Sequence, residues 1–195
     1  MPSDYYEPHP SLRLARPLLL AGQIGCGAAA IGRTLTSRTG LTFFEVDRWI
    51  EHDAGCALAE IAAEYGAAHV ERQAQEVLER LLKQPRPGVV VFDRAWLPKG
   101  AGAALRLQAD LVHVKRPAAE LLERLPRERH RGGEWLLGGV AWPIQTEADL
   151  APLLEQRREL LDEATIVLDA GTRHENELAA ELLGSLSSLT GAQAP

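Results

Sequence analysis

The stretch LLLAGQIGCGAAAIGRTL, residues 18–35, constrains the fold more than any other part of the chain. An apolar run leads into Gly22, Gly25 and Gly27, and a helical pattern follows directly. This order is typical of a strand that feeds a glycine-rich loop into a helix N-terminus, where backbone N–H groups can surround an anion. The stretch therefore predicts a strand–loop–helix unit with the layout of a phosphate-binding loop.

The side chains that such a loop uses for nucleotide chemistry are missing. The motif G-x-x-x-x-G-K-S/T matches at Gly22 and Gly27, but it places Ala28 at the lysine and Ala29 at the magnesium-binding hydroxyl. Cys26 has two interpretations, a reactive thiol at a helix N-terminus or a small residue tolerated in a tight loop, and the second is favoured. The candidate phosphate or nucleotide loop comprises Gly22, Gly25, Cys26, Gly27, Ala28 and Ala29.

The rest of the chain alternates short apolar runs with helical patterns. Strands are predicted at 17–22, 41–47, 88–93, 110–115 and 165–170, and helices at 28–39, 48–55, 57–66, 68–84, 100–107, 117–127, 147–163 and 174–188. The run GVVVFD is of the kind that is buried on both faces of a parallel sheet. The alternation predicts an α/β fold with a five-stranded parallel sheet between two helical layers. Residues 1–16 are predicted to form an extended arm, and residues 17–190 a single domain.

Composition and charge exclude several classes of partner. A net charge of −6 argues against a general nucleic-acid binder, and the apolar run at 18–21 is too short for a membrane span. The basic run at 115–131 is interleaved with glutamates, which favours a solvated helix face over a binding patch. The two cysteines and six histidines have no disulfide framework or metal-ligand spacing. We therefore expect a cytoplasmic protein with no metal, nucleic acid or membrane, whose partner is an unidentified small molecule or protein.

Residues 46–66, VDRWIEHDAGCALAEIAAEYG, together with the loop and the order of elements, resemble the shikimate kinase family. These proteins are P-loop small-molecule kinases related to nucleoside monophosphate kinases. The resemblance implies a P-loop NTPase fold for the chain. It also implies ATP on the loop, magnesium beside it, a small polyol acid under a nearby helical region, and a lid, which here falls at about residues 127–146.

Several site residues are carried over by the resemblance alone. Glu45 and Asp47 stand at the family's Asp-x-Asp pair for metal and substrate, although solvated acids at a strand end are an equally good interpretation. Arg131 lies near the lid arginine, and either Arg157 or Arg158 near a later arginine that contacts substrate and phosphate. Asp47 and Arg131 would be catalytic in an active enzyme. Trp135 and Trp142 are in the lid region, where contact with the protein's own core is favoured over a ligand or a partner.

Other positions depart from the family pattern in the substrate pocket. Glu71 stands where the family has the arginine that grips the substrate carboxylate, so shikimate would meet repulsion. Asp93 and Arg94 replace part of a triple-glycine turn. Arg94 either binds an anion or pairs with Glu71 across the pocket, and the internal pair is favoured.

These departures predict a shikimate-kinase-like pseudokinase that acts as a ligand-binding, regulatory or scaffold protein. The alternative is a divergent ATP-dependent small-molecule kinase with a substrate other than shikimate. In that case the phosphate-binding cation would come from Arg33, Arg94 or Arg131. ATP and magnesium are expected as cofactors only under the alternative.

Overall fold

The computed structural model describes residues 12–92, 100–132 and 143–190. Its strands are β1 (Leu18–Gly22), β2 (Phe43–Glu45), β3 (Val89–Phe92), β4 (Asp110–Lys115) and β5 (Ile166–Asp169). Its helices are α1 (Ala28–Thr39), α2 (Val46–Ala54), α3 (Leu58–Tyr65), α4 (Ala67–Leu82), α5 (Ala101–Arg106), α6 (Ala118–Gly132), α7 (Glu147–Asp162) and α8 (Glu175–Thr190).

The five strands form one parallel sheet in the order β2-β3-β1-β4-β5. Strand β1 is central, and its Leu18 is in register with Val89 of β3 and Asp110 of β4. Residues of β1 are buried on both faces of the sheet, which explains why this strand is a continuous apolar run.

Alternate residues of the strands enter two separate cores. Leu19 and Ala21 pack in a cluster with residues of α2, α3, α4, α5 and α7, while Leu18 and Leu20 pack with α1 and α8. A third cluster joins α6 and α7 and includes Ile24 of the glycine loop. The predicted three-layer α/β/α fold with a five-stranded parallel sheet is therefore confirmed.

Two boundaries differ from those predicted from the sequence. The second strand ends at Glu45, and α2 begins at Val46, so Asp47 lies in the first turn of a helix and not at a strand end. Helix α6 continues past residue 127 to Gly132, because the Arg and Glu residues after Pro126 are good helix formers. Residues 127–132 of the predicted lid are thus helical.

None of the helices that the structure describes is long and apolar enough to cross a lipid bilayer.

Candidate functional site

The loop between β1 and α1 is held at both ends by buried arginines. The Gly22 carbonyl accepts a hydrogen bond of 2.7 Å from Nη1 of Arg157, and the Cys26 carbonyl accepts one of 3.0 Å from Nε of Arg116. Gly27 caps α1 in a left-handed conformation with φ of 89°, which favours glycine. These two arginines fix the direction of the carbonyls that flank the loop.

The loop is packed tightly against the end of β4. A Cβ atom on Gly22 would lie 2.5 Å from Sγ of Cys26 and 2.6 Å from the carbonyl oxygen of Val114, so only glycine fits at this position. The Cys26 side chain is fully buried. Its burial favours the interpretation of Cys26 as a small residue that fills a tight loop.

The two alanines of the degenerate motif begin α1. Ala28 is fully buried and Ala29 is 9% exposed, and both belong to the core cluster shared with α8. Their methyl groups cannot neutralise a phosphate or ligate a metal ion. At these two positions the chain has exchanged a cation and a hydroxyl for apolar packing.

A cleft of about 1000 Å³ opens in front of the loop. It lies between the start of α1, the β2–α2 junction, α6 and the start of α8. The charged lining residues are Arg33, Arg48, Arg124, Arg127, Glu45, Glu51, Glu120, Glu123, Glu128 and Glu175. Within the described lining, carboxylates outnumber guanidinium groups, so a polyanion entering the cleft meets both attraction and repulsion.

The acids predicted at the metal and substrate positions are not solvated. Asp47 is fully buried in α2. The Glu45 side chain is only 10% exposed and pairs with Nη2 of Arg33. The interpretation of these residues as solvated acids at a strand end is therefore wrong, because α2 begins at once and carries Asp47 inward. The ion pair also engages Arg33, one of the candidate phosphate cations.

The structure distinguishes the two candidate arginines of α7. Arg157 is buried, bonds to the loop at Gly22, and its guanidinium carbon lies 5.3 Å from the centroid of the Phe92 ring. Arg158 is exposed and pairs with Glu155 at 2.9 Å and Asp162 at 3.9 Å on its own helix. Only Arg157 is placed at the loop.

Some predicted site residues lie outside the described residues. These are Asp93, Arg94, Trp135 and Trp142. The backbone of Arg131 is in α6, but its side chain is not described. Glu71 is partly buried on α4. The pairing of Glu71 with Arg94 therefore stays a prediction.

Arg116 is a site residue that the sequence analysis missed. It follows β4, and it is only 6% exposed, so the expectation of a solvated basic face is wrong for this residue. Its Nη1 donates to the carbonyl of Gly171 at 3.0 Å. Burial, and then the neighbouring Arg124, lower the pKa of the Arg116 guanidinium. The available sequence signal was its position at the carboxyl end of a parallel strand, the edge where ligands bind in such sheets.

The described residues do not fit magnesium-ATP in the way that the motif requires. Ala28 and Ala29 offer no cation and no hydroxyl, Asp47 is buried, and Glu45 is engaged by Arg33. Over residues 12–92, 100–132 and 143–190 there is no cluster of three or more histidine, cysteine or acidic side chains that could hold a metal ion.

A parallel sheet with a glycine loop leading from its central strand into α1 defines the class of P-loop kinase-like α/β proteins. A family model described as "Shikimate kinase" matches residues 24–187. The chain belongs to the shikimate kinase family.

Curated relatives and solved structures agree with this assignment. The chain is 28% identical over 165 residues to a shikimate kinase of Paramagnetospirillum magneticum, covering 80% of this chain and 83% of the relative. It is 32% identical over 176 residues to a shikimate kinase of Rhizobium leguminosarum bv. trifolii, covering 85% and 89%. The Acinetobacter baumannii shikimate kinase in complex with shikimate aligns with a TM-score of 0.77 at 20% identity, covering 95% of this chain and 100% of that structure. At this identity the structural likeness supports the fold alone.

Proposed function

We propose that this chain is a shikimate-kinase-like protein that does not phosphorylate shikimate and acts as a ligand-binding, regulatory or scaffold protein. The observation that carries the proposal is the pair of buried alanines, Ala28 and Ala29, at the start of α1. Catalysis of phosphoryl transfer relies on positioning and on electrostatic stabilisation of the transferred group by cations. Loss of one such contact commonly reduces turnover by about 10² to 10³-fold, and here both the lysine and the metal-binding hydroxyl are absent.

The substrate side of the pocket supports the same proposal. The family pattern places an arginine for the substrate carboxylate at the position of Glu71, and a carboxylate there repels an acidic substrate. The activity named for the relatives, that of a shikimate kinase, is a property of those proteins. We do not extend it to this chain. The cytoplasm is the location we propose, since Cys26 and Cys56 are not joined in a disulfide.

A second candidate is a divergent ATP-dependent small-molecule kinase with a substrate other than shikimate. The glycine loop beside a cleft of about 1000 Å³ favours it, because a pure scaffold has no need of such a cleft. In this alternative Asp47 and Arg131 would take catalytic roles, and Arg33 would have to leave its ion pair with Glu45 to contact a phosphate.

An ADP-release assay with shikimate, ATP and magnesium tests the proposal. We expect no turnover above the rate without shikimate. The Paramagnetospirillum magneticum relative, assayed in parallel, is the positive control for reagents and coupling enzymes. Turnover on the order of 1 per second, within the usual range for enzymes, would refute the proposal. Turnover with other alcohols but not with shikimate would favour the second candidate.

A further inference from the structure

The glycine that caps α1 borders a small space surrounded by charged atoms. A Cβ built on Gly27 would lie 3.5 Å from Nη1 of Arg124, 3.6 Å from Oε1 of Glu175 and 3.7 Å from Nη2 of Arg116. These distances are ordinary van der Waals contacts, so the space is about the size of a methyl group, and it is unfilled because residue 27 is glycine. Three charged groups from α6, α8 and the end of β4 thus converge on the N-terminus of α1.

The three atoms nearest to an added Cβ on Gly27 come from two guanidinium groups and one carboxylate, although carboxylates outnumber guanidinium groups along the described lining of the cleft as a whole. Two guanidinium groups and the positive end of the α1 dipole meet there, and Glu175 is the nearest carboxylate, 3.7 Å from Nη1 of Arg124. Glu120 also raises the pKa of Arg116 electrostatically, but less than Glu175 does. Positive charge at a helix N-terminus is unfavourable unless an anion compensates it.

Arg116 also has unused hydrogen-bonding capacity. Its Nε and Nη1 are engaged by the carbonyls of Cys26 and Gly171. Its Nη2 is buried and has no hydrogen-bond partner among the residues that the structure describes. A buried donor without a partner costs free energy, so an acceptor at this space would remove that cost.

We propose that a phosphoryl group binds at Gly27 between Arg116 and Arg124 without a metal ion, with Arg116 supplying from the end of β4 the cation that Ala28 cannot supply. Guanidinium groups are well suited to phosphate, since their fixed donors match its oxygens. The ligand class is a small phosphate-bearing molecule. This inference rests on the proposed function in one respect, namely that the loop binds a ligand without transferring its phosphate.

Glu175 is the internal competitor for the same cations. Its Oε1 lies 3.6 Å from an added Cβ on Gly27, and its side chain is 21% exposed. An entering phosphoryl group displaces this carboxylate from Arg124 and bonds to Nη2 of Arg116, which lies 3.7 Å from an added Cβ on Gly27. The two residues therefore have opposite effects on ligand affinity.

Calorimetric titration of the full chain with inorganic pyrophosphate in EDTA tests the proposal. We expect Glu175→Gln to tighten binding and Arg116→Gln to weaken it, the latter by about tenfold or more, as for a lost hydrogen bond between charged groups. Glu181→Gln is the matched control, since Glu181 lies exposed on the same helix and pairs with Arg173. It should bind like the unmodified chain.

Several outcomes would overturn the proposal. One is equal binding by Glu175→Gln and Glu181→Gln, and another is binding that appears only when magnesium replaces EDTA. If circular dichroism shows that Arg116→Gln is unfolded, the comparison of Glu175→Gln with Glu181→Gln decides, because both substitutions are at partly exposed positions. Absence of binding by the unmodified chain and by Glu175→Gln also refutes it. These results are independent of the ADP-release assay, so failure of this inference and failure of the proposed function are distinguishable.

Discussion

Arg157 and Arg158 are neighbours in the chain, but only Arg157 faces the interior. Its guanidinium bonds to the Gly22 carbonyl and lies over the Phe92 ring. At the scale of single residues, the loop thus depends on a side chain that lies far from it in sequence.

Replacing Arg157 with alanine should destabilise the fold. We expect the free energy of unfolding to fall by about 1.5 to 3 kcal/mol, the usual contribution of a hydrogen bond to a charged group. Arg158→Ala is the adjacent control and should change it by less than about 0.5 kcal/mol, because surface ion pairs contribute little. Urea unfolding of both variants measures the difference. Equal effects at the two positions would show that Arg157 does not brace the loop.

The lowered pKa of His113 on β4 leads us to expect that the free energy of unfolding depends on pH. Burial, and then the nearby Lys115, lower the pKa of this imidazole, while Asp162 opposes the shift. As pH falls below the ordinary histidine pKa of about 6.5, the unfolded chain takes up the proton before the folded chain does, so stability decreases. The decrease ends once the pH is below the lowered pKa of the folded state.

The variant His113→Gln should lack this component. Unfolding free energies measured by urea titration between pH 7.5 and pH 5 test the prediction, with the slope expected to be shallower in the variant. A variant slope equal to that of the unmodified chain would contradict the assignment to His113.

The strand–loop–helix unit is the element on which the candidate site depends. Gly22 ends β1 in contact with Cys26 and with the backbone of Val114, so the loop has no room for a larger residue. The same unit contributes Gly27 to the cleft and Ala28 to the core. The same short element therefore contributes both to the core and to the lining of the cleft.

Gly22→Ala should destabilise the protein and distort the loop. The added methyl group would meet the Val114 carbonyl, a backbone atom, at 2.6 Å, and overpacking of this kind costs about 1 to 3 kcal/mol. Gly184→Ala is the matched control. Gly184 lies on α8 with no neighbouring atom within 4 Å of an added Cβ, so the change should stabilise the helix by about 0.5 to 1 kcal/mol.

Thermal unfolding of the two glycine variants compares them directly. A lower midpoint for Gly22→Ala and a slightly higher one for Gly184→Ala are expected. Two midpoints shifted in the same direction would mean that the loop is less constrained than its contacts indicate.

At the scale of the whole molecule, the fold is that of a nucleotide-binding family, but the distribution of charge does not favour a nucleotide. The sheet and its helices form the scaffold of the shikimate kinase family, while the described part of the cleft carries more glutamates than arginines. The chain as a whole has a net charge of −6. A nucleotide triphosphate approaching the cleft therefore lacks the electrostatic attraction that a lysine-containing loop and a bound metal ion would give.

Titration with a fluorescent ATP analogue should show no tight magnesium-dependent binding. The reason is the absence of the motif's lysine and hydroxyl at Ala28 and Ala29. Fluorescence anisotropy with magnesium and with EDTA measures it, and the Paramagnetospirillum magneticum relative is the positive control. Micromolar binding that requires magnesium would oppose our proposal and favour the divergent kinase.

The sequence by itself determined the fold class, the positions of the elements and the loss of the loop's lysine and hydroxyl. These features are local. Leu-Leu-Leu-Ala in β1 and Val-Val-Val-Phe in β3 are apolar because both faces of those strands are covered, and glycine patterns mark the loop directly. The early start of α2 and the helical extension of α6 were not predicted, because the ends of elements are the part of a fold that sequence patterns specify least well.

Only the tertiary structure decided which charged residues surround the loop. The spacing of Leu150, Leu153 and Leu160 puts Arg157, and not Arg158, on the apolar face of α7. Neither that spacing nor the basic run shows which residues Arg157 and Arg116 contact. Their positions follow from the packing of α7 against the end of β1 and from the parallel order that places the ends of β1 and β4 side by side. Arg116 and Cys26 are 90 positions apart in the chain, and Arg157 and Gly22 are 135 positions apart. Periodicity specifies only the face of an element on which a residue lies, so contacts over such separations are decided when the sheet and its helices assemble.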